Sequence, residues 1–220
     1  MKLAVESRLQ ASVNKKRIAR IQREQSLQAQ IRKKRFRYPL INLRQEKPKA
    51  NLLKRAFTAD APDRTWLTDI TYIPTDTGQL YLSAVLDVFN REIVAHRISD
   101  NLGLPFVLET FEDAFRKRGA TGVLVHSDQG THYTAHAYCS FLREHKAVQS
   151  MSRRGVCLDN AAMENFFGHL KSELSTRGAY RTMGEAKVRI DDYIWFYNNE
   201  RIQERLKMAP VAFRSHFEDT

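Results

Sequence analysis

The sequence predicts an α/β fold: a mixed sheet of three antiparallel strands followed by parallel strands, flanked by helices and preceded by a basic helical N-terminal arm. Three observations carry this prediction. Runs rich in β-branched and aromatic residues at 66–74, 80–88 and 92–98 are separated only by the turn signals Asp76-Thr77-Gly78 and Asn90-Arg91, the pattern of an antiparallel meander. Helical and strand-like segments then alternate, the order that builds parallel strands with crossover helices. The cationic excess, finally, lies at one end of the chain.

Residues 1–58 hold 17 Lys or Arg against 3 acidic residues, a charge of +14, while the remaining 162 carry −3. The boundary is therefore read at 58/59, with a basic arm (1–58) and a core domain with C-terminal helices (59–220). Ile18, Ile21 and Ile31 give the arm a thin apolar helical stripe. Arg32, Lys33, Lys34, Arg35 and Arg37 follow as candidate phosphate contacts, because dense cationic arms bind nucleic-acid backbones by releasing counterions. Phe36 and Tyr38 suit either base stacking or packing on the core. Pro48 and Pro62 bracket what reads as a linker.

At 220 residues and 42% apolar, the chain can bury one good-sized core plus an appendage. No apolar run is long enough to span a membrane, and the N-terminus, with Glu6, lacks the apolar centre of a signal peptide. Cys139 and Cys157 form no CxxC or zinc spacing, which suits a reducing cytoplasm and small core hydrophobes. Neither a P-loop nor a nucleophile elbow is present.

After the meander, residues 104–118 read as a helix with Phe106, Leu108, Phe111 and Phe115 on or near one face. A short buried strand runs to Asp128; a helix at 135–144, a strand near Val148 and a long helix carrying Glu164 follow. In that last helix Met163, Phe167, Leu170 and Leu174 form one stripe at 100° per residue, with Glu164 and Lys171 along its edge. Asp159 or Asn160 is expected to be its N-cap.

Three acids stand out: Asp69 mid-strand in an apolar run, Asp128 at the end of a strand expected to neighbour it, and Glu164. Spacing alone is weak evidence, since 12 Asp and 13 Glu in 220 residues give roughly 0.7 chance pairs at any separation. Asp76 and Glu112 in fact share the Asp128–Glu164 separation, but Asp76 belongs to a turn signal. Context favours the other pair. Three carboxylates in one cleft repel one another unless a cation binds, and Mg²⁺ or Mn²⁺ fits oxygen donors. Two such ions can serve in-line phosphoryl displacement, with Asp128 bridging and Asp69 and Glu164 each completing one site. Asp87 reads as a fourth acid or an ion-pair partner, His126 as a packed histidine, and His132 and His136 as surface or helix-start residues. Lys171 and Arg154 suit phosphate contact or solvation equally.

The segments WLTDITYI from Trp66, HSDQGTHY from His126, SMSRRGVCLDNAAMENFFGHLKSE from Ser150 and YIWFYNNERIQERL from Tyr193 resemble bacterial insertion-sequence transposases. The type is encoded by two overlapping frames, the second resembling retroviral integrase, and the resemblance runs from about residue 51 to 213. It implies a ribonuclease-H-like core with an Asp-Asp-Glu triad at Asp69, Asp128 and Glu164, a Mg²⁺ cofactor that Mn²⁺ can replace, and a DNA contact at Lys171. It further implies cleavage that frees a 3′-OH and strand transfer by that hydroxyl. The implied partners are double-stranded DNA (terminal repeats and target), further copies of the chain on that DNA, and an upstream-frame product or fusion partner, in the bacterial cytoplasm at the nucleoid. The arm resembles the tail of a helix-turn-helix region, so repeat recognition is expected from the upstream product. Gln203 stands where the family often has histidine. Two other readings share these residues: a stand-alone nuclease of the same fold, and a truncated or domesticated DNA-binding protein without catalysis.

Overall fold

A computed structural model of the chain describes residues 12, 14–25, 44–175, 178 and 180–219. The chain divides into two compact units, Met1–Ile41 and Asn42–Thr220. In the first, helix α1 (Lys15–Glu24) is capped by Asn14, whose side chain accepts from the Lys16 N–H at 2.9 Å. The candidate contacts Arg32, Lys33, Lys34, Arg35 and Arg37 lie outside the described residues, as do Ile31, Phe36 and Tyr38.

The second unit is built on strands β1 (Thr65–Thr75), β2 (Gly78–Asp87), β3 (Ile93–Ser99), β4 (Leu124–Ser127) and β5 (Val148–Met151). Their order in the sheet is β3-β2-β1-β4-β5. β1, β2 and β3 pair antiparallel, whereas β4 pairs parallel with β1 and with β5. The helices are α2 (Leu104–Arg118), α3 (Thr131–Thr134), α4 (His136–Glu144), α5 (Ala161–Ser175), α6 (Met183–Asn199) and α7 (Pro210–Glu218). A 3-10 turn, Cys157–Asn160, leads into α5. This is the expected mixed sheet. Among the described residues no helix is long and apolar enough to cross a membrane.

Alternation along the strands divides the core. On one face Leu67, Ile73, Leu82 and Leu86 pack with Met163, Phe166, Leu170 and Leu174 of α5 and with Ile190 and Ile194 of α6. On the other, Trp66, Val85 and Val94 pack with Phe106, Phe111 and Phe115 of α2 and with Tyr138 and Leu142 of α4. Asp69 shares strand parity with Leu67 and Ile73, so it belongs to the α5 face.

The boundary at 58/59 is corrected. Leu53 is buried in the same cluster as Leu67 and Phe166, a burial worth about 1.5–3 kcal/mol. Its backbone N–H and that of Leu52 both donate to Ser150 Oγ, at 3.3 and 2.9 Å. Gln45 bridges to Ala135, and Glu46 accepts from Lys49, His136 and Arg143. The passage between Pro48 and Pro62 is thus no linker: residues 44–58 strap the core. Local composition conceals this because every partner is distant in sequence. The helix expected at 135–144 is found as α4, and the strap sets its start: Ala135 turns extended to pair with Gln45, which also ends the short helix α3, absent from the sequence reading, at Thr134.

Other polar candidates are structural. His126 is fully buried, with Nδ1 at 2.8 Å from Ser150 Oγ and Nε2 at 3.0 Å from Ser152 Oγ. Ser150 already accepts two backbone N–H groups, so its own proton goes to Nδ1 and the imidazole is the neutral Nε2–H tautomer. Burial correspondingly lowers its basicity. Asp87 accepts the N–H groups of Asp63 and Phe89, at 2.9 and 3.0 Å, and burial pushes its carboxyl up to about 6. Opposite Trp66 in the register, it stands apart from Asp69, which lies opposite Ala84. His132 bonds the Leu102 carbonyl and His136 opens α4. Cys139 is a buried free thiol, while the Cys157 side chain lies outside the described residues.

A candidate active site where β1 meets β4

Parallel pairing sets the two aspartates side by side. Leu67 lies opposite His126, and Asp69 and Asp128 each follow two residues later. Asp69 stays in its long strand, half-buried, its Oδ1 accepting the Ile70 N–H at 2.7 Å. Asp128 follows the last residue of β4 and is exposed; its Oδ1 accepts the Gly130 N–H at 2.8 Å. A Cβ on Gly130 would sit 2.8 Å from that same oxygen, so any larger residue here would push the Asp128 carboxylate aside. Gln129 fastens it to the end of β5 by donating to the Ser152 carbonyl at 3.0 Å. Beneath both acids lies buried Tyr133, 3.4 Å from Thr68 Oγ1. Its phenol is raised well above the usual range by burial and then by the charges of Asp69 and Asp128.

Helix α5 brings the third acid. Asn160 donates its Nδ2 to the Thr68 carbonyl at 3.2 Å, fixing the helix entrance one residue before Asp69. Glu164, exposed, follows one helical turn later. The N-cap expectation is corrected here: the Asn160 amide is spent on β1, and its buried Oδ1 has no hydrogen-bond partner among the described residues. Asp159 does not cap either. Its buried carboxylate accepts from Arg153, Arg55 and Asn51, and the first two of these hold it well below the usual carboxylate range. These contacts tie the strap, the turn after β5 and the start of α5 into one node.

The electrostatics show the convergence. Burial pushes the Asp69 carboxyl up to about 7; the charge of Asp128 adds to the rise, the Ile70 N–H opposes it, Glu164 raises it further and Lys171 lowers it. The Lys171 ammonium lies 4.5 Å above the centre of the Tyr72 ring, its pKa lowered by burial against the pull of Asp69. Asp69, Asp128, Glu164 and Lys171 therefore share one electrostatic site. Arg154 is exposed in the turn between β5 and the 3-10 segment, with no contact to these residues described. Asp76, at the β1–β2 hairpin tip, and Glu112, on α2, are also exposed. Among the described residues no three His, Cys, Asp or Glu side chains stand close enough to form a ready metal cage. Asp69 and Asp128 each already accept one backbone N–H, and a cation shared with Glu164 would draw the three acids together.

Sequence reasoning missed Gly130, Tyr133 and the true role of Asn160. The first two lie inside HSDQGTHY, two and five residues after Asp128, and their position there was the available signal. Nothing local indicated that Asn160 would reach β1.

Residues 59–157 and 164–217 each match a model described as integrase core domain. The chain is 38% identical over 205 residues to InsK of insertion sequence element IS150 from Escherichia coli (strain K12), covering 92% of this chain and 72% of that protein. It is 41% identical over 169 residues to the transposase for insertion sequence element IS904 from Lactococcus lactis, covering 76% and 67%. Among solved structures, the HTLV-2 integrase catalytic core in complex with magnesium, trimeric form, superposes with a TM-score of 0.58 at 12% identity, covering 71% of this chain and 99% of that one. At such low identity the likeness shows the fold, a ribonuclease-H-like integrase core. The chain belongs to the bacterial insertion-sequence transposases, polynucleotidyl transferases of the DDE type with an integrase core.

Proposed function

We propose that the protein catalyses divalent-metal-dependent cleavage of DNA at the ends of an insertion sequence, then strand transfer, with Asp69, Asp128 and Glu164 as its catalytic acids. One observation carries this reading: the β1–β4 register sets Asp69 beside Asp128, and both Asp128 and Glu164 raise the Asp69 carboxyl. A half-buried acid whose ionisation is opposed by two neighbouring acids fits a site built for a cation. The oxygen donor set suits Mg²⁺, with Mn²⁺ as substitute, and the related HTLV-2 core is a magnesium complex. Bound divalent ions would supply Lewis acidity for in-line displacement at phosphorus.

The chain's own groups then have distinct tasks. Asp69, Asp128 and Glu164 would together hold the divalent ions, Asp128 supplying oxygens beside those of Asp69 and Glu164. Asn160 and the Asp159 node keep Glu164 in register with β1. Lys171, steadied over Tyr72, holds a non-bridging phosphate oxygen, and Arg154 a flanking phosphate. In cleavage, a water oxygen bonds to phosphorus as the bond to the 3′ oxygen breaks, which leaves a 3′-OH. In transfer, that hydroxyl oxygen bonds to a phosphorus of the target strand, whose 3′ oxygen departs.

The substrate is double-stranded DNA, both terminal repeats and target, acted on in the bacterial cytoplasm. Arg32, Lys33, Lys34, Arg35 and Arg37 contribute salt-sensitive backbone contacts. Two ends must be joined in one complex, so the chain works as a homo-oligomer on DNA, together with an upstream-frame product or as a fusion to it.

The test is a Mg²⁺/Mn²⁺ assay on labelled DNA carrying the element's own ends, comparing wild type with Glu164→Gln. Nicking and joining that the substitution abolishes support the proposal. Cutting without joining marks a nuclease; binding by wild type without cutting marks a binding protein or a missing upstream partner.

A further inference from the structure

A groove of about 630 Å³ runs along α5, across the buried stripe of that helix from the edge that carries Glu164. Ala162, Asn165 and His169 form its helical wall, Leu86, Phe166 and Tyr197 its floor, and the segment after α6 its far wall. At 1.5 Å per residue the helical wall is about 10 Å long, an axial length of duplex DNA bearing roughly six phosphate charges.

The cations here divide into two groups. Arg201 pairs with Glu173, and His169 lies 3.8 Å from the same carboxylate. Arg91 and Arg205 instead converge on one neutral acceptor, the Phe57 carbonyl, each at 3.0 Å. Neither they nor Lys207 has a carboxylate partner among the described residues. Arg91 feels the charge of Arg205 as repulsion, added to a larger desolvation effect. Arg91 and Lys207 also adopt left-handed backbone, φ +64° and +59°, where glycine or asparagine is the unstrained choice. Long cationic side chains thus stand at two strained turns and face one groove, none of them ion-paired with a carboxylate among the described residues. The one acid among the lining side chains is Glu204.

We infer that this groove is a second DNA-backbone site, in which Arg91, Arg205 and Lys207 hold phosphates of a duplex flanking the one cut at the triad. The inference rests on the DNA-transposase reading for the identity of the ligand. Phosphodiester anions supply a counter-charge, and three cations spread along a groove suit a repeating anion better than a single one.

The experiment measures affinity of the full chain for a labelled random-sequence duplex between about 50 and 200 mM salt. Arg205→Gln combined with Lys207→Gln, both at exposed positions, is expected to lower the slope of log affinity against log salt by about two, near 0.9 per lost phosphate contact. Arg205→Lys is expected to keep the wild-type slope. Glu204→Gln is expected to tighten binding about threefold, the size of an exposed-charge effect, which gives a gain that misfolding cannot imitate. An unchanged slope in the double variant, with no gain from Glu204→Gln, overturns the groove site. If wild type cuts and joins DNA while those variants are silent, the groove alone fails. If the variants respond but wild type never cuts, the transposase reading fails and the groove stands. Wild type that binds no DNA overturns both.

Discussion

Asp69 and Asp128 are neighbours because β1 and β4 run parallel with Leu67 opposite His126, which places each carboxylate two residues beyond the same rung. Their proximity is a property of strand register, and a slip of one residue would send one of them to the opposite face of the sheet. His126 guards that register. Its two serine partners, Ser150 and Ser152, stand in and just after β5, so β4 is locked from its other side.

Glu164→Gln and Asp128→Asn are expected to reduce cleavage by at least about 10²-fold, with melting temperature and DNA affinity close to wild type. Both side chains are exposed, so neither change disturbs the core. Parallel nicking, melting and binding assays check this; substantial cleavage by either variant would remove that acid from the triad.

Asp69 links pH to the cation. Its folded-state pKa, about 7, lies above the ordinary 3.8, so the folded state binds the extra proton between these values. Its ionisation therefore lowers stability as pH rises from about 4, and the loss is complete above about 7. A divalent ion offsets the charge. The melting temperature of wild type should rise on adding Mg²⁺ or Mn²⁺, more at pH 8 than at pH 5, and EDTA should reverse the gain. Asp69→Asn should be more stable than the metal-free wild type at pH 8 and respond little to metal. An equal metal response in the two proteins would place the ion elsewhere.

Asn160→Ala removes the clamp to the Thr68 carbonyl. A loss of about 1 kcal/mol in stability is expected, with a larger effect on turnover because Glu164 loses its alignment. Turnover falling while KM for DNA holds identifies a positioning role; a proportional rise in KM with unchanged turnover would contradict it.

The Glu46 strap sets an acid limit. Hydrogen bonding from Lys49 and then Arg143 overcomes burial and holds the carboxyl at about 2, against an ordinary 4.5. The folded-state pKa is depressed, so the stabilisation is fully present above about 4.5 and fades as pH falls toward 2. Glu46→Gln should melt a few degrees below wild type at pH 7, and the two curves should meet near pH 2. A gap that persists at pH 2 would show that the charge is not the cause.

Truncation should separate the strap from the arm. Removing residues 1–43 keeps Gln45, Glu46 and Leu53 on the core, and the expected result is a folded protein whose DNA affinity depends less steeply on salt. Removing residues 1–58 should lower the melting temperature sharply, because it strips Leu53 from the cluster around Leu67. Equal melting temperatures for the two truncations would refute the role of the strap.

The sequence by itself determined the order of the strands, the charge excess at the N-terminal end and the turn at Asp76-Thr77, and it singled out Asp69, Asp128 and Glu164 as candidates, because these depend on local periodicity, turn chemistry and short motifs. It also indicated that Asp76 and Glu112 were a coincidence of spacing. Only the tertiary structure decided that residues 44–58 belong to the core, that Ala135 turns extended to pair with Gln45, and that Asn160 serves β1 instead of capping α5. The structure alone also brought Arg91 and Arg205 together at the Phe57 carbonyl. Each of these contacts joins residues dozens of positions apart. Their geometry follows from sheet register and helix packing, which no local pattern in the chain encodes.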